Sequence, residues 1–215
     1  MKILVINLRG AEPKTLFSDE RLENLHRLMD MGCYGELKGD ASAWNVLARQ
    51  ENHMLTLLEF LGQADKHCAS FEDFSALRSK LESQDWDYCQ LIDAGLKNAA
   101  SRFASADSGS ADEYLRLDRE LGEVLQHLSD DTIVAVIGDG CFVLVSSNNP
   151  ISGEHKDGAT VDVAPTLLEL AGYPLPSAME GKSWVAGMEL KNASSGLTAE
   201  EEEILRERLS GLGYI

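Results

Sequence analysis

The stretch KILVINLRGAEP, residues 2–13, ends an apolar run on a large cation. Ile3, Leu4, Val5 and Ile6 form a short buried-strand pattern over Lys2–Leu8, and Arg9-Gly10 follow at once. In α/β proteins ligands sit just past the carboxyl ends of strands. A guanidinium there is suited to gripping an anion such as phosphate. An internal salt bridge and plain exposure are the competing roles for it. Other chemistries are poorly supplied. Cys33, Cys68, Cys89 and Cys141 show no CxxC pairing and no compact framework, which predicts reduced, buried thiols. The histidines, His26, His53, His67, His127 and His155, form neither HxH nor HExxH, so packing or surface roles explain them more economically than metal ligation.

The elements that must position these side chains alternate. After the first strand, Asp19–Met31 carries Leu22, Leu25, Leu28 and Met29 at helical spacing and stops at Gly32. Trp44–Leu61 and Phe71–Leu81 read as helices, and Asp85–Asp93 as the second core strand. Residues 101–113, rich in Ser, Ala and Asp, read as a flexible loop. Glu113–Leu128 is amphipathic, with Leu115, Leu121, Val124, Leu125 and Leu128 on one side. Thr132–Ile137 and Cys141–Ser146 are further strands, separated by Gly138-Asp139-Gly140 and therefore antiparallel or joined by a tight turn. Pro165 starts a helix that ends at Gly172, and Thr198 caps a last helix to Leu209, with acidic residues at its start and Arg206 and Arg208 near its end. Strands alternating with helices predict one α/β domain over residues 1–215, its mostly parallel sheet covered by helices on both faces.

A chain of 215 residues is long enough to bury a real core in one domain. Its net charge of −17 disfavours nucleic acid and anionic membrane as partners, because both repel it. No stretch approaches the roughly 20 apolar residues of a membrane span, and Lys2–Leu8 opens a strand rather than a signal peptide. With the unpaired cysteines, this predicts a cytoplasmic protein.

Three segments resemble the type I phosphodiesterase/nucleotide pyrophosphatase branch of the alkaline phosphatase superfamily. GATVDVAPTLLELAGYPLPSAMEGKSW, residues 158–184, is similar to that branch's D-[IV]-A-P-T-L-L-x-L-x-G followed by P-x-x-M-x-G-[KR]-S. The chain end LRERLSGLGYI resembles its RLxxLGYI. DWDYCQLIDAGLKNAASRF and YLRLDRELGEVLQHLSDDTIVAVIGDG resemble the strand, loop and helix leading to its S-D-H-G metal motif. ILVINLRGAEP and LENLHRLMDMGCYGELKGDASAW resemble its N-terminal GLDG and TxPAW regions. The resemblance implies an alkaline-phosphatase-like sheet sandwiched by helices. The cap region is missing, because family members are commonly much longer after the position of Trp44.

The family's chemistry uses two divalent metals, usually zinc, to activate a Thr or Ser nucleophile and to neutralise an in-line displacement at phosphorus. Residue by residue, this sequence departs from that pattern. Where GLDG carries a metal aspartate, NLRG has Arg9. The nucleophile, four residues before the Trp of TxPAW, is matched by Asp40, with Ser42 two residues on. A metal aspartate and the histidine four residues after it are matched by Lys97 and Ser101. S-D-H-G is matched by GDGC, with Asp139 in place and Gly140 where the histidine would be. The loop bearing the last metal histidine is deleted, and His155 does not replace it.

Zinc needs about three or four protein ligands, so the resemblance implies no zinc and no other cofactor here. Two anions have become cations and a neutral nucleophile has become an anion. Arg9 and Lys97 set among Asp40, Asp139 and Asp93 restore neutrality without metal, which predicts a salt-bridged plug. Three functions remain open. The first is a catalytically inactive homologue acting by binding or assembly, with a homo-oligomer or a protein partner. The second is a binder of a phosphorylated or sulfated small molecule at the vestigial cleft of Arg9, Asp40, Lys97, Ser101 and Asp139. The third is a residual phosphoesterase. Asp40 as an aspartyl-phosphate nucleophile lacks metal-binding neighbours, and Asp118 reads as a helix-surface charge or a local cap.

Overall fold

The computed structural model describes residues 1–50, 53–102, 107–190 and 198–211. In chain order, strand β1 (Ile3–Leu8) is followed by helices α1 (Pro13–Ser18) and α2 (Glu23–Met31). Strand β2 (Cys33–Lys38) leads through a 3₁₀ turn at Ala41–Asn45 into a separate ribbon of β3 (Val46–Gln50) and β4 (His53–Thr56). Then come α3 (Leu57–Gln63), β5 (Cys68–Phe71), α4 (Phe74–Glu82), β6 (Tyr88–Asp93), α5 (Gly95–Arg102) and α6 (Asp107–Leu125). β7 (Ile133–Gly138) and β8 (Cys141–Val145) follow, with the short β9 (Gly153–Glu154) and β10 (Gly158–Ala159). Helices α7 (Val163–Leu170) and α8 (Ala199–Gly211) complete the described residues.

The main sheet has the order β10-β2-β8-β7-β1-β6-β5, with β9 also paired to β2. β1 lies parallel to both β6 and β7, and β5 parallel to β6. β8 runs antiparallel to β7 and to β2, so β2 points the same way as β1. The four strands expected from the sequence all join this sheet. Alternation in β1 explains why both of its faces are dry. Ile3 and Val5 enter a core with Phe60 of α3, Leu167 of α7 and Leu205 of α8, whereas Leu4 and Ile6 enter a second core with Leu28 of α2, Leu77 of α4 and Leu121 of α6.

Three sequence expectations are corrected. Trp44–Leu61 is not one helix. Trp44 lies in the 3₁₀ turn, Leu47 and Leu55 are buried on opposite strands of the β3–β4 ribbon, and only Leu57 onward is helical, capped by Thr56 with Glu59 in a reciprocal box. Helix α2 does stop at Gly32, and the strand that follows at Cys33–Lys38, to which the sequence reading assigned no element, alternates in burial through Cys33, Gly35 and Leu37. Of the stretch read as a flexible loop, Ser101 and Arg102 belong to α5 and Asp107–Glu113 to α6; residues 103–106 lie outside the described set, as does the chain end from residue 212.

Asp118 is neither a surface charge nor a local cap. It is 8% exposed, and its carboxylate accepts the backbone N–H groups of Asn24 at 3.2 Å and Leu25 at 2.9 Å. These are first-turn amides of α2, whose own N-cap, Leu22, has no capping side chain. Helix α6 therefore caps α2 across the fold. The approach is close enough that a Cβ on Gly122 would meet the Asn24 side chain at 2.6 Å.

Candidate functional site

Strand order sets the site. β2, β7, β1 and β6 all deliver their carboxyl ends to one edge of the sheet. Just past those ends lie Asp40 after β2, Asp139 after β7, Arg9 after β1 and Lys97 after β6. All four line one open cleft of about 300 Å³, together with Asn7, Ser42, Trp44 and Asn45.

The backbone around the cations is tightly fixed. The N–H of Arg9 donates to the carbonyl of Asp93 at 2.9 Å, and the N–H of Lys97 donates to the carbonyl of Arg9 at 3.1 Å. Gly10, at φ 90°, permits this contact, because a Cβ there would come within 2.8 Å of the Lys97 nitrogen. The side chains of Arg9 and Lys97 are nevertheless exposed, and among the described residues neither has a carboxylate in ion-pair range.

The carboxylates are held differently. Asp40 opens the 3₁₀ turn, and its Oδ1 accepts the Ser42 backbone N–H at 2.9 Å and the Ser42 hydroxyl at 2.8 Å. These bonds, the backbone one foremost, hold the carboxyl below its usual range. Asp139 sits in the two-residue connection between β7 and β8, its N–H donating to the carbonyl of Ala11 at 2.8 Å. Gly140 takes φ 87° in that turn, and a Cβ on Gly138 would meet the Ala11 oxygen and the Cys141 sulfur at 2.7 Å. The connection is thus a tight turn.

The expected salt-bridged plug is not formed. Arg9, Lys97, Asp40 and Asp139 are all exposed, so water solvates each charge and nothing compels pairing. The buried carboxylate, Asp93, is neutralised from the opposite side. Its Oδ2 lies 3.2 Å from Nη2 of Arg116 on α6, and its Oδ1 accepts the Gly95 N–H at 2.8 Å. Arg116 also grips Glu113 bidentately at 2.7 and 3.0 Å. Ser101 does not line the cleft; its hydroxyl donates to the Lys97 carbonyl one turn back in α5.

Sequence reasoning missed Asn7 and Arg116. Asn7 is 5% exposed and donates to the Ile137 carbonyl at 3.3 Å. Its signal was a polar residue inside an apolar strand, two positions before Arg9 and so on the same face. Arg116 carried no such signal, because its i,i+3 partner Glu113 makes it read as an ordinary helix-surface pair.

The residues present do not fit a two-zinc centre. The cleft offers only two carboxylates, Asp40 and Asp139, beside two cations, Arg9 and Lys97. Among the described residues, no group of three or more His, Cys, Asp or Glu side chains is placed to hold a metal ion. His155 packs instead against the rings of Trp184, at 5.1 Å, and Phe142, at 6.2 Å. The described thiols are free, and burial pushes those of Cys33 and Cys68 up to about 11 and those of Cys89 and Cys141 to about 12.

No family model matches the chain. A structure of an alkaline phosphatase superfamily protein from Vibrio parahaemolyticus superposes with a TM-score of 0.64 at 13% identity, over 94% of this chain and 71% of that one. The chain has an alkaline-phosphatase-like fold. Murine ectonucleotide pyrophosphatase/phosphodiesterase 5 superposes with a TM-score of 0.52 at 10% identity, over 65% of this chain and 57% of its own. In sequence, 113 residues are 27% identical to the 2,3-bisphosphoglycerate-independent phosphoglycerate mutase of Clostridium botulinum. That match takes in 52% of this chain and only 20% of the mutase. These similarities do not single out the type I phosphodiesterase branch.

Proposed function

We propose that this protein is a non-hydrolytic, metal-independent relative of the phosphoesterases, and that its cleft binds a phosphorylated or sulfated small molecule. One observation carries this reading: among the described residues, Arg9 and Lys97 stand at the cleft with no carboxylate partner, at places where metal ligands would be needed for catalysis. Guanidinium and ammonium groups supply the positive charge that a phosphate or sulfate requires. The side-chain amides of Asn7 and Asn45 add hydrogen-bond donors around them. Hydrolysis needs an activated nucleophile, and among the described residues of the cleft none is set up. Ser42 donates its hydroxyl to Asp40, while Asp40 itself caps a turn and lacks the metal-binding neighbours of an aspartyl-phosphate site. The matched mutase is named for acting on a phosphoglycerate, which supports the same chemical class of ligand.

The reading is tested with protein stripped by chelator. Ethyl phosphate binding is followed by calorimetry, and turnover of generic phosphodiester and phosphomonoester substrates is assayed with and without added zinc. The expected result is saturable, chelator-insensitive binding that Arg9→Ala weakens, and no turnover. Zinc-dependent turnover abolished by Asp139→Asn would overturn it.

A further inference from the structure

The cleft is polarised, and strand order makes it so. From one end of the sheet to the other, the relevant strands run β2, β8, β7, β1, β6. Asp40 and Asp139 therefore belong to the β2–β7 side of the cleft, and Arg9 and Lys97 to the β1–β6 side. Neighbouring strands are about 4.8 Å apart, so the two halves are separated by a distance that a small molecule spans. The four groups sum to zero charge, yet none of the cations pairs with a cleft carboxylate. Asp40 spends one oxygen, Oδ1, on Ser42, and Asp139 has only its backbone N–H committed among the described residues.

We propose that the cleft takes a zwitterionic ligand: a phosphate or sulfate ester that also carries an ammonium group, its anionic end on Arg9 and Lys97 and its cationic end on Asp40 and Asp139. This rests on the anion-binding reading above and adds the second half of the ligand. A bare dianion satisfies the cations but faces two uncompensated carboxylates, and the chain's net charge of −17 opposes its approach. A ligand with both charges satisfies both halves and arrives carrying less net charge. The space also fits. A cleft of about 300 Å³ holds about ten water-sized groups, more than an isolated phosphate fills.

The test compares 2-aminoethyl phosphate, ethyl phosphate and ethylamine by calorimetry on the full chain. Three proteins are used: wild type, Asp40→Asn with Asp139→Asn, and Arg9→Ala. Asparagine keeps the shape at both positions and, at residue 40, keeps an acceptor for Ser42; thermal unfolding confirms that the variants fold. The expected result is that 2-aminoethyl phosphate binds about tenfold more tightly than ethyl phosphate, the size of one to two partly exposed ion pairs. That advantage should vanish in the double Asn variant while ethyl phosphate still binds. Equal affinity for the two phosphates in wild type, both weakened by Arg9→Ala, would overturn the zwitterion and leave the anion site standing. Failure of both phosphates to bind would overturn both readings.

Discussion

At the scale of single residues, two arginines near one edge of the sheet have opposite duties. Arg9 is exposed and unpaired among the described residues, whereas Arg116 serves the half-buried or buried carboxylates of Asp93 and Glu113 and lies 4.0 Å from that of Glu120. Arg9→Ala should therefore change stability by about 1 kcal/mol or less while weakening anion binding. Arg116→Ala should destabilise by about 1–3 kcal/mol, because it strands Asp93 in a poorly solvated place. Urea unfolding midpoints of the two variants check the contrast; equal shifts would mean that Arg9 has a structural partner. Asp118 provides a sharper case. Asp118→Ala leaves buried amides at the start of α2 without an acceptor, and we expect a loss of about 2–3 kcal/mol, with Asp118→Asn losing less. A loss under about 0.5 kcal/mol in the same experiment would contradict the cross-fold cap.

At the scale of elements, α8 is docked by charge as well as by Leu205 and Leu209. Glu201 accepts the Thr198 backbone N–H at 2.7 Å and meets the Lys66 ammonium at 3.0 Å. The Thr198 N–H first, then Lys66, pull the Glu201 carboxyl from 4.5 down to about 2. A folded-state value below the unfolded one stabilises the fold above about pH 4.5, and that contribution is lost as pH falls through about 2. Because Glu201 is more than a third exposed, solvent screens the effect and it stays small. Glu201→Gln should flatten the acid limb of the stability profile between those values; an unchanged slope in acid titrations followed by circular dichroism would contradict the capped helix. The same elements show what the sequence made legible. Strands β1, β6, β7 and β8 were readable because each is a dense apolar run buried on both faces. The Trp44–Leu61 stretch was not. Leu47, Leu55, Leu57 and Leu61 satisfy a helical spacing, but the pairing of Val46–Gln50 with His53–Thr56 is a tertiary preference that local pattern does not encode. Strand β2 was hidden because its Gly35 and Glu36 are weak strand formers and its stability comes from pairing with β8.

For the whole molecule, an alkaline-phosphatase-like fold gathers two cations and two carboxylates at the carboxyl edge of its sheet. The sequence allowed Arg9, Asp40, Lys97 and Asp139 to be placed around one site, and the structure brings those four together. It did not reveal that they stay apart from one another, because pairing depends on solvation at the cleft, which no spacing rule reports. Nor did it reveal Arg116, which settles Asp93 from the helical layer and leaves Arg9 and Lys97 free for a ligand. The direct measurement is calorimetric titration of ethyl phosphate into chelator-treated protein, with Arg9→Ala, Lys97→Ala as the control. Saturable binding in the unsubstituted protein, unchanged by zinc and lost in the double variant, is the result this account predicts. Binding that appears only when zinc is added, or that survives removal of both cations, would contradict it.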